Sequence, residues 1–198
     1  MIDKQIKEYF REIIFNIIFK DIENCINAKA NYTVALALLS HTEFLGGLIT
    51  GKLGVQGNSE SNFNRALEFF EWNGDKNYYK KFKLDIQEDD GSISTGNGIY
   101  KLIRCGLVHE YFIKGQSFVH NNQIQITDNG CIDSDKGVQV IEYSGQKLLR
   151  FHNNAYFRDF KLACKNYIEE ITINNDPKLI SNFSTSISRI HNRKILFE

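Results

Sequence analysis

Arg104-Cys105-Gly106-Leu107-Val108-His109-Glu110-Tyr111, RCGLVHEY, is the segment whose placement decides the architecture. It continues a helical period that opens with Ile99, Leu102 and Ile103, so it falls near the start of a late helix. Arg104, His109 and Tyr111 stand beside the apolar positions Leu102, Ile103, Leu107 and Val108. Ionisable and hydrogen-bonding groups next to a core face need partners, because burying them unpaired is costly. Two roles are open on residue chemistry. In one, Arg104 pairs with a carboxylate such as Glu43 or Glu110 and His109 completes a buried hydrogen bond. In the other, the three groups form a site.

Outward from this segment the chain reads as helices. Ile6, Phe10, Ile13, Ile14, Ile17 and Ile18 recur at three-and-four spacing, which predicts a first helix with one buried face. Val34, Ala35, Leu38, Leu39, Thr42 and Leu45 continue the same period in a second helix expected to end near Gly46-Gly47. Phe63, Ala66, Leu67 and Phe70 predict a short third helix, capped by Ser59 or Ser61 and stopped by Asn73-Gly74. Asp89 to Gly98 is a polar stretch. Between Gly115 and Phe151 the apolar residues alternate at Ile124 and Ile126, Val138 and Val140, and Lys147 to Phe151, with turn residues at Asn121-Asn122, Asp128-Asn129-Gly130 and Ser144-Gly145. Phe157, Phe160, Cys164, Tyr167, Ile168 and Ile171 then restore the helical period, and Asp176-Pro177 opens a last helix through Ile180, Phe183, Ile187 and Ile190. The expected fold is a mainly α, single-domain helical bundle over residues 1–198, with a small antiparallel β insertion at about 115–151 before the last two helices.

Composition bounds the function. A chain of 198 residues with 42% hydrophobic and 24% charged residues has ordinary globular make-up. Lys and Arg number 24, as do Asp and Glu, so any attraction for phosphate must come from a local patch. Apolar runs such as Ile13 to Phe19 and Val34 to Leu39 are shorter than the ~18 to 20 residues of a membrane span. Asp3 and Glu8 interrupt the first apolar positions and no small-residue cleavage site follows, so no signal peptide is read and a cytoplasmic location is expected. Cys25, Cys105, Cys131 and Cys164 lack CxxC spacing, and neither a metal site nor another cofactor is expected.

Three further stretches carry chemistry-bearing residues. Gly46 to Leu53, GGLITGKL, approaches a phosphate loop but ends an apolar helix and has Leu53 where Ser or Thr should stand, so it reads as close packing plus helix termination. Lys76 to Lys83, KNYYKKFK, interleaves ammonium groups with rings in the manner of a strand-binding surface, with Lys80 and Lys81 as candidates for contacting RNA. The plainer alternative is a solvated face with its aromatic residues in the core. The same choice applies to Arg189, His191, Arg193 and Lys194.

The eight residues from Arg104 to Tyr111 resemble the RX4HXY form of the signature of HEPN proteins, helical bundles that include metal-independent ribonucleases and toxins. With the flanking helical order, the resemblance covers about half the chain. It departs from the family pattern at Cys105, where a polar residue is usual, and in the strand-like stretch from Gly115 to Phe151. The resemblance implies a HEPN-like bundle and an endoribonuclease, as toxin or defence component, acting as a homodimer with Arg104, His109 and Tyr111 at its centre. In a toxin–antitoxin arrangement it also implies a nucleotidyltransferase partner that modifies Tyr111. The alternative is a non-catalytic HEPN-like module that binds protein or nucleotide. Residues five apart on an ideal helix lie about 140° apart, so convergence of Arg104 and His109 calls for relaxation of the backbone at Gly106. Glu43 or His41 of the second helix is the expected polar lining of the cleft.

Overall fold

The computed structural model describes residues 2–87, 90–110, 113–115, 117–120 and 135–191. Tyr111, Cys131, Arg193, Lys194 and the strand expected at Ile124 to Ile126, with the turns flanking it, lie outside those residues. Among the described residues the fold is mainly helical with two small sheets. The first helical rod comprises α1 (Ile2–Tyr9), a π-helical segment (Phe10–Ile18) and α2 (Phe19–Asn27). It buries Ile6, Phe10, Ile14, Phe19 and Ile22, whereas Ile13 and Ile17 are exposed, at 37% and 51%. The sequence assigns all of the isoleucines to one face. The wider π turn instead aligns residues four and five apart, so part of the expected stripe rotates into solvent.

Helix α3 (Asn31–Thr50) is the centre of the molecule. It packs against α2, α4 (Ser59–Ala66), α6 (Asn153–Thr172) and α7 (Pro177–His191). By length and composition alone it could cross a membrane, although no single uninterrupted apolar run reveals it, and more than half of its most apolar stretch is buried inside the protein. It does not stop at Gly46-Gly47. Gly46 instead lets α4 approach so closely that a Cβ there would collide with the Asn62 carbonyl, and the helix ends at Gly51, which takes φ 72°. The last carbonyls of α3 then find partners on α7. Ser186 Oγ donates to Gly47 O (2.8 Å), Asn182 Nδ2 to Ile49 O (2.7 Å) and Arg189 Nη1 to Gly51 O (2.9 Å). Arg189 therefore clamps a helix end, where a cation is favoured. Helix α7 begins as its sequence implies, with Asp176 Oδ1 accepting from the N–H groups of Lys178 and Leu179.

Two strand features differ from expectation. Lys83 to Asn97, part of which reads as a polar stretch, forms an antiparallel hairpin of β1 (Lys83–Gln87) and β2 (Ile93–Asn97), with Asp90 Oδ1 accepting from Ser92 in the turn and Gly91 at φ 81°. The second sheet has the order β3 (Ser117–His120), β5 (Gln146–His152), β4 (Val138–Tyr143). β4 and β5 form the expected hairpin through Ser144-Gly145, but β3 runs parallel to β5, so the sheet is mixed and not antiparallel throughout. Val138, Leu149 and Phe151 belong to the main core, so this sheet is a wall of the domain and not an appendage outside it. Its other polar links are buried too: Arg150 Nε donates to His120 Nε2 at 2.7 Å, and the His120 and His152 rings stack at 4.7 Å.

Two measurements test this packing. Gly46→Ala should cost about 1–3 kcal/mol, the usual cost of overpacking a close contact, and lower the melting temperature accordingly; a variant as stable as the parent would show that α3 and α4 do not meet backbone to backbone. His41, on α3 beside Phe10, Ile14 and Phe160, is held below its ordinary value of 6.5 mainly by burial, with Asp21 acting in the opposite direction. The unfolded chain therefore takes up this proton at a higher pH than the folded chain, so its contribution to stability is complete above about 6.5 and declines as pH falls through the lower folded value. Urea midpoints should fall between neutral and mildly acidic pH, and His41→Gln should flatten that slope.

Candidate active site

The helix carrying the motif begins with a π-helical segment, Ile99–Arg104, and continues as α5 (Cys105–His109). Asn97 Oδ1 accepts from the N–H groups of Ile99 and Tyr100 and so opens the helix. The Cys105 N–H reaches back five residues to Tyr100 O, whereas the Glu110 N–H reaches back four to Gly106 O. The wide turn therefore includes Arg104. The motif lies in the second half of its helix and not at the start.

This placement separates the two principal residues. Arg104 is directed toward α3, where its Nη2 lies 2.6 Å from Glu43 Oε2; the side chains are 13% and 20% exposed. The guanidinium sits 5.3 Å from the centre of the Tyr100 ring, and Tyr100 in turn packs against Phe63 of α4. Burial pushes the Tyr100 hydroxyl up to about 12, against the opposing effect of Arg104, so the ring presents a neutral face to the cation. His109 is exposed at the end of α5, and no hydrogen bond or ion pair joins it to Arg104. Between them α5 keeps ordinary helical hydrogen bonding, and Gly106 is buried within it. Helical hydrogen bonding continues through Gly106, and the ~140° between residues five apart on a helix puts the largely buried Arg104 and the exposed His109 on different faces.

The pairing leaves unmet capacity. The Arg104–Glu43 contact is close but poorly aligned, so Glu43 Oε2 makes no hydrogen bond, and Arg104 Nε–H has no acceptor among the described residues. Buried groups of this kind are rare in folded proteins and mark places where a further polar atom would be welcomed.

The remaining candidates are dispersed. Glu110 pairs with Lys114 at 2.5 Å on the surface and is not the partner of Arg104. Lys81 pairs with Asp75 at 2.5 Å, while Lys80 points away and is exposed. Tyr79 and Phe82 are in the core, so these two rings of KNYYKKFK are not open to stack on bases, while its lysines are exposed. His41 lines the core under the π-helical segment of the first rod and does not join Glu43 at Arg104. Of the apolar residues on the motif helix, Leu107 and Ile103 are buried in the same chain, which leaves Leu102 and Val108 partly exposed. Tyr100 was not singled out from the sequence. The signal for it was its position four residues before Arg104, one helical turn away.

The Glu43–Arg104 pair is measurable by a double-mutant cycle. Glu43→Gln or Arg104→Met alone should each destabilise by about 1–3 kcal/mol, because each strands a largely buried charge, while the double variant should cost less than the sum. Additive losses would mean that the two side chains have no interaction energy with each other.

Comparison with protein-family models, with curated protein sequences and with solved structures finds no match to this chain.

Proposed function

We propose that this chain is a HEPN-like, metal-independent endoribonuclease that works as a homodimer, as a toxin or a defence component. The observation that supports this is the state of Arg104: a guanidinium held by one carboxylate and one aromatic ring, with an unmet Nε–H, on the same short helix as an exposed histidine. In the reaction, neutral His109 accepts the proton of an RNA 2′-hydroxyl as that oxygen attacks the adjacent phosphorus. Arg104 stabilises the charge of the phosphorane, and the 5′-oxygen leaves with a proton to give a 2′,3′-cyclic phosphate. One histidine cannot act as base and acid at once, and within one chain His109 is turned away from Arg104. A two-fold arrangement, with His109 of a second copy completing the site, satisfies both needs. Tyr111 belongs to the same motif, as a site residue or as the target of a nucleotidyltransferase partner.

A second reading has its own support. Glu43 already neutralises Arg104, and Cys105 replaces the polar residue usual beside it, which suits a non-catalytic module that keeps the bundle to bind protein or nucleotide.

Cleavage of mixed RNA, followed alongside melting temperature, separates the two. His109→Ala should reduce cleavage by roughly 10²- to 10⁴-fold, the usual worth of a positioned base, with little change in melting because the side chain is exposed. Arg104→Lys should also be impaired, since an ammonium loses the planar fork that grips two phosphate oxygens. A chelator should have no effect. Absence of any cleavage by the parent protein would leave the binding module.

A further inference from the structure

A groove of about 490 Å³ lies between α4 and the β1–β2 hairpin, away from the Glu43 pairing, and its volume is within the range of ligand sites. Glu60, Asn64, Lys80, Lys83 and Gly96 line it. Two carboxylates and two lysines line it, and both carboxylates are already paired: Glu60 with Lys101 at 3.6 Å and Glu68 with Arg65. Asp85, beside it, accepts from Thr95 Oγ1 at 2.6 Å and keeps its negative charge. Lys80 and Lys83 make no ion pair or side-chain hydrogen bond among the described residues, so two ammonium groups face the groove without partners. In a chain of zero net charge the groove and its pairs carry one positive charge in excess, Arg65, Lys80, Lys83 and Lys101 against Glu60, Glu68 and Asp85, and the turn at Tyr78–Lys81 builds it by turning Lys81 to Asp75 and leaving Lys80 at the groove.

The groove is also continuous with the motif helix. Its wall ends at Asn97, the residue that opens that helix, and Lys101, the partner of Glu60, stands three residues before Arg104. We infer that this groove binds the backbone of a single-stranded RNA and leads it toward Arg104; the direction of travel rests on the function proposed above, and the binding does not. Two lysines supply point charges without the planar fork of arginine, which suits sequence-independent contact with successive phosphates. Asn64 offers a polar side chain to sugars and base edges, while Lys101 and Glu60 cover Gly96. An acidic peptide is the competing occupant, but nothing in the groove positions a carboxylate in a bidentate fashion.

The test is fluorescence anisotropy with a short, labelled, unstructured oligouridine and the full chain. Lys80→Glu with Lys83→Glu should weaken binding about tenfold or more at low salt and reduce the slope of log K against log salt by about 1.4, the release expected from two phosphates of a single strand. Lys20→Glu with Lys178→Glu, the same charge change elsewhere on the surface, should bind as the parent does, and circular dichroism checks that both pairs fold. His109→Ala should bind normally and fail to cut. No binding by the parent, binding unchanged by the groove reversal, or tighter binding of an acidic peptide of matched charge would each overturn the groove. Binding that depends on Lys80 and Lys83 without any cleavage would overturn the ribonuclease and leave the groove standing, whereas cleavage and binding both indifferent to the reversal would do the opposite.

Discussion

A helix that is apolar on nearly every side has to be covered on every side, and α3 imposes that constraint on the rest of the chain. Val34, Leu38, Leu45 and Leu48 are fully or almost fully buried, and so are Ala35, Leu39 and Ile49 on other faces of the same helix. Each turn therefore presents burial in more than one direction. The first rod covers one side, α6 and α7 cover others, and α4 closes against Gly46 at backbone distance. Such a helix also ends inside the protein. Its terminal carbonyls would be stranded were it not for Ser186, Asn182 and Arg189, which explains why a helix more than a hundred residues later carries three polar residues on its inner face.

The candidate site is a by-product of the same constraint. Glu43 is a charged residue near the middle of this mostly buried helix, and a carboxylate there needs a cation. Arg104 supplies it, so the pair both stabilises the junction of α3 with the motif helix and fixes the guanidinium in place over Tyr100. The two roles pull in different directions. A cation fully satisfied by its partner would have little left for a phosphate, and the poor alignment of this pair keeps a donor on Arg104 and an acceptor on Glu43 uncommitted. The π turn from Ile99 to Arg104 contributes by setting the rotation of the helix at Arg104, after which ordinary α geometry carries His109 to the opposite, solvent side. Inserted turns of this kind recur at functional positions because they redirect one side chain without breaking the helix.

Periodicity made the helical elements legible. Asp176-Pro177 announces α7 through chemistry that is local to three residues, and the Ser144-Gly145 turn announces the β4–β5 hairpin in the same way. The Arg104–Glu43 pair was legible as one of two pairings, because a buried arginine demands a carboxylate whatever the fold. The β1–β2 hairpin was missed because its alternation is short: Leu84 and Ile86 alternate with polar residues in β1, but β2 answers with Ile93 alone, so one five-residue strand and the Asp90-Gly91 turn are its whole signal. The exposure of Ile13 and Ile17 was missed because a wheel drawn at 3.6 residues per turn does not apply to a π-helical segment.

What the sequence by itself determined is what depends on neighbours within a turn or two: the existence of the main helices, the Asp176 cap of α7, the Ser144-Gly145 turn and the run of chemistry-bearing residues from Arg104 to Tyr111. The ends of α3 and α4 fall elsewhere than Gly46-Gly47 and Asn73-Gly74, and α4 begins after Asn58 without a Ser59 or Ser61 cap. Tertiary structure alone decided which strand lies beside β5, since alternation sets the face of a strand but not its partner or direction. It decided that Glu43 and not Glu110 meets Arg104, because the choice depends on how the motif helix crosses α3. It also decided that Lys80 faces a groove while its neighbour Lys81 turns to Asp75, a division set by a single turn of backbone that carries no signature in the residues themselves.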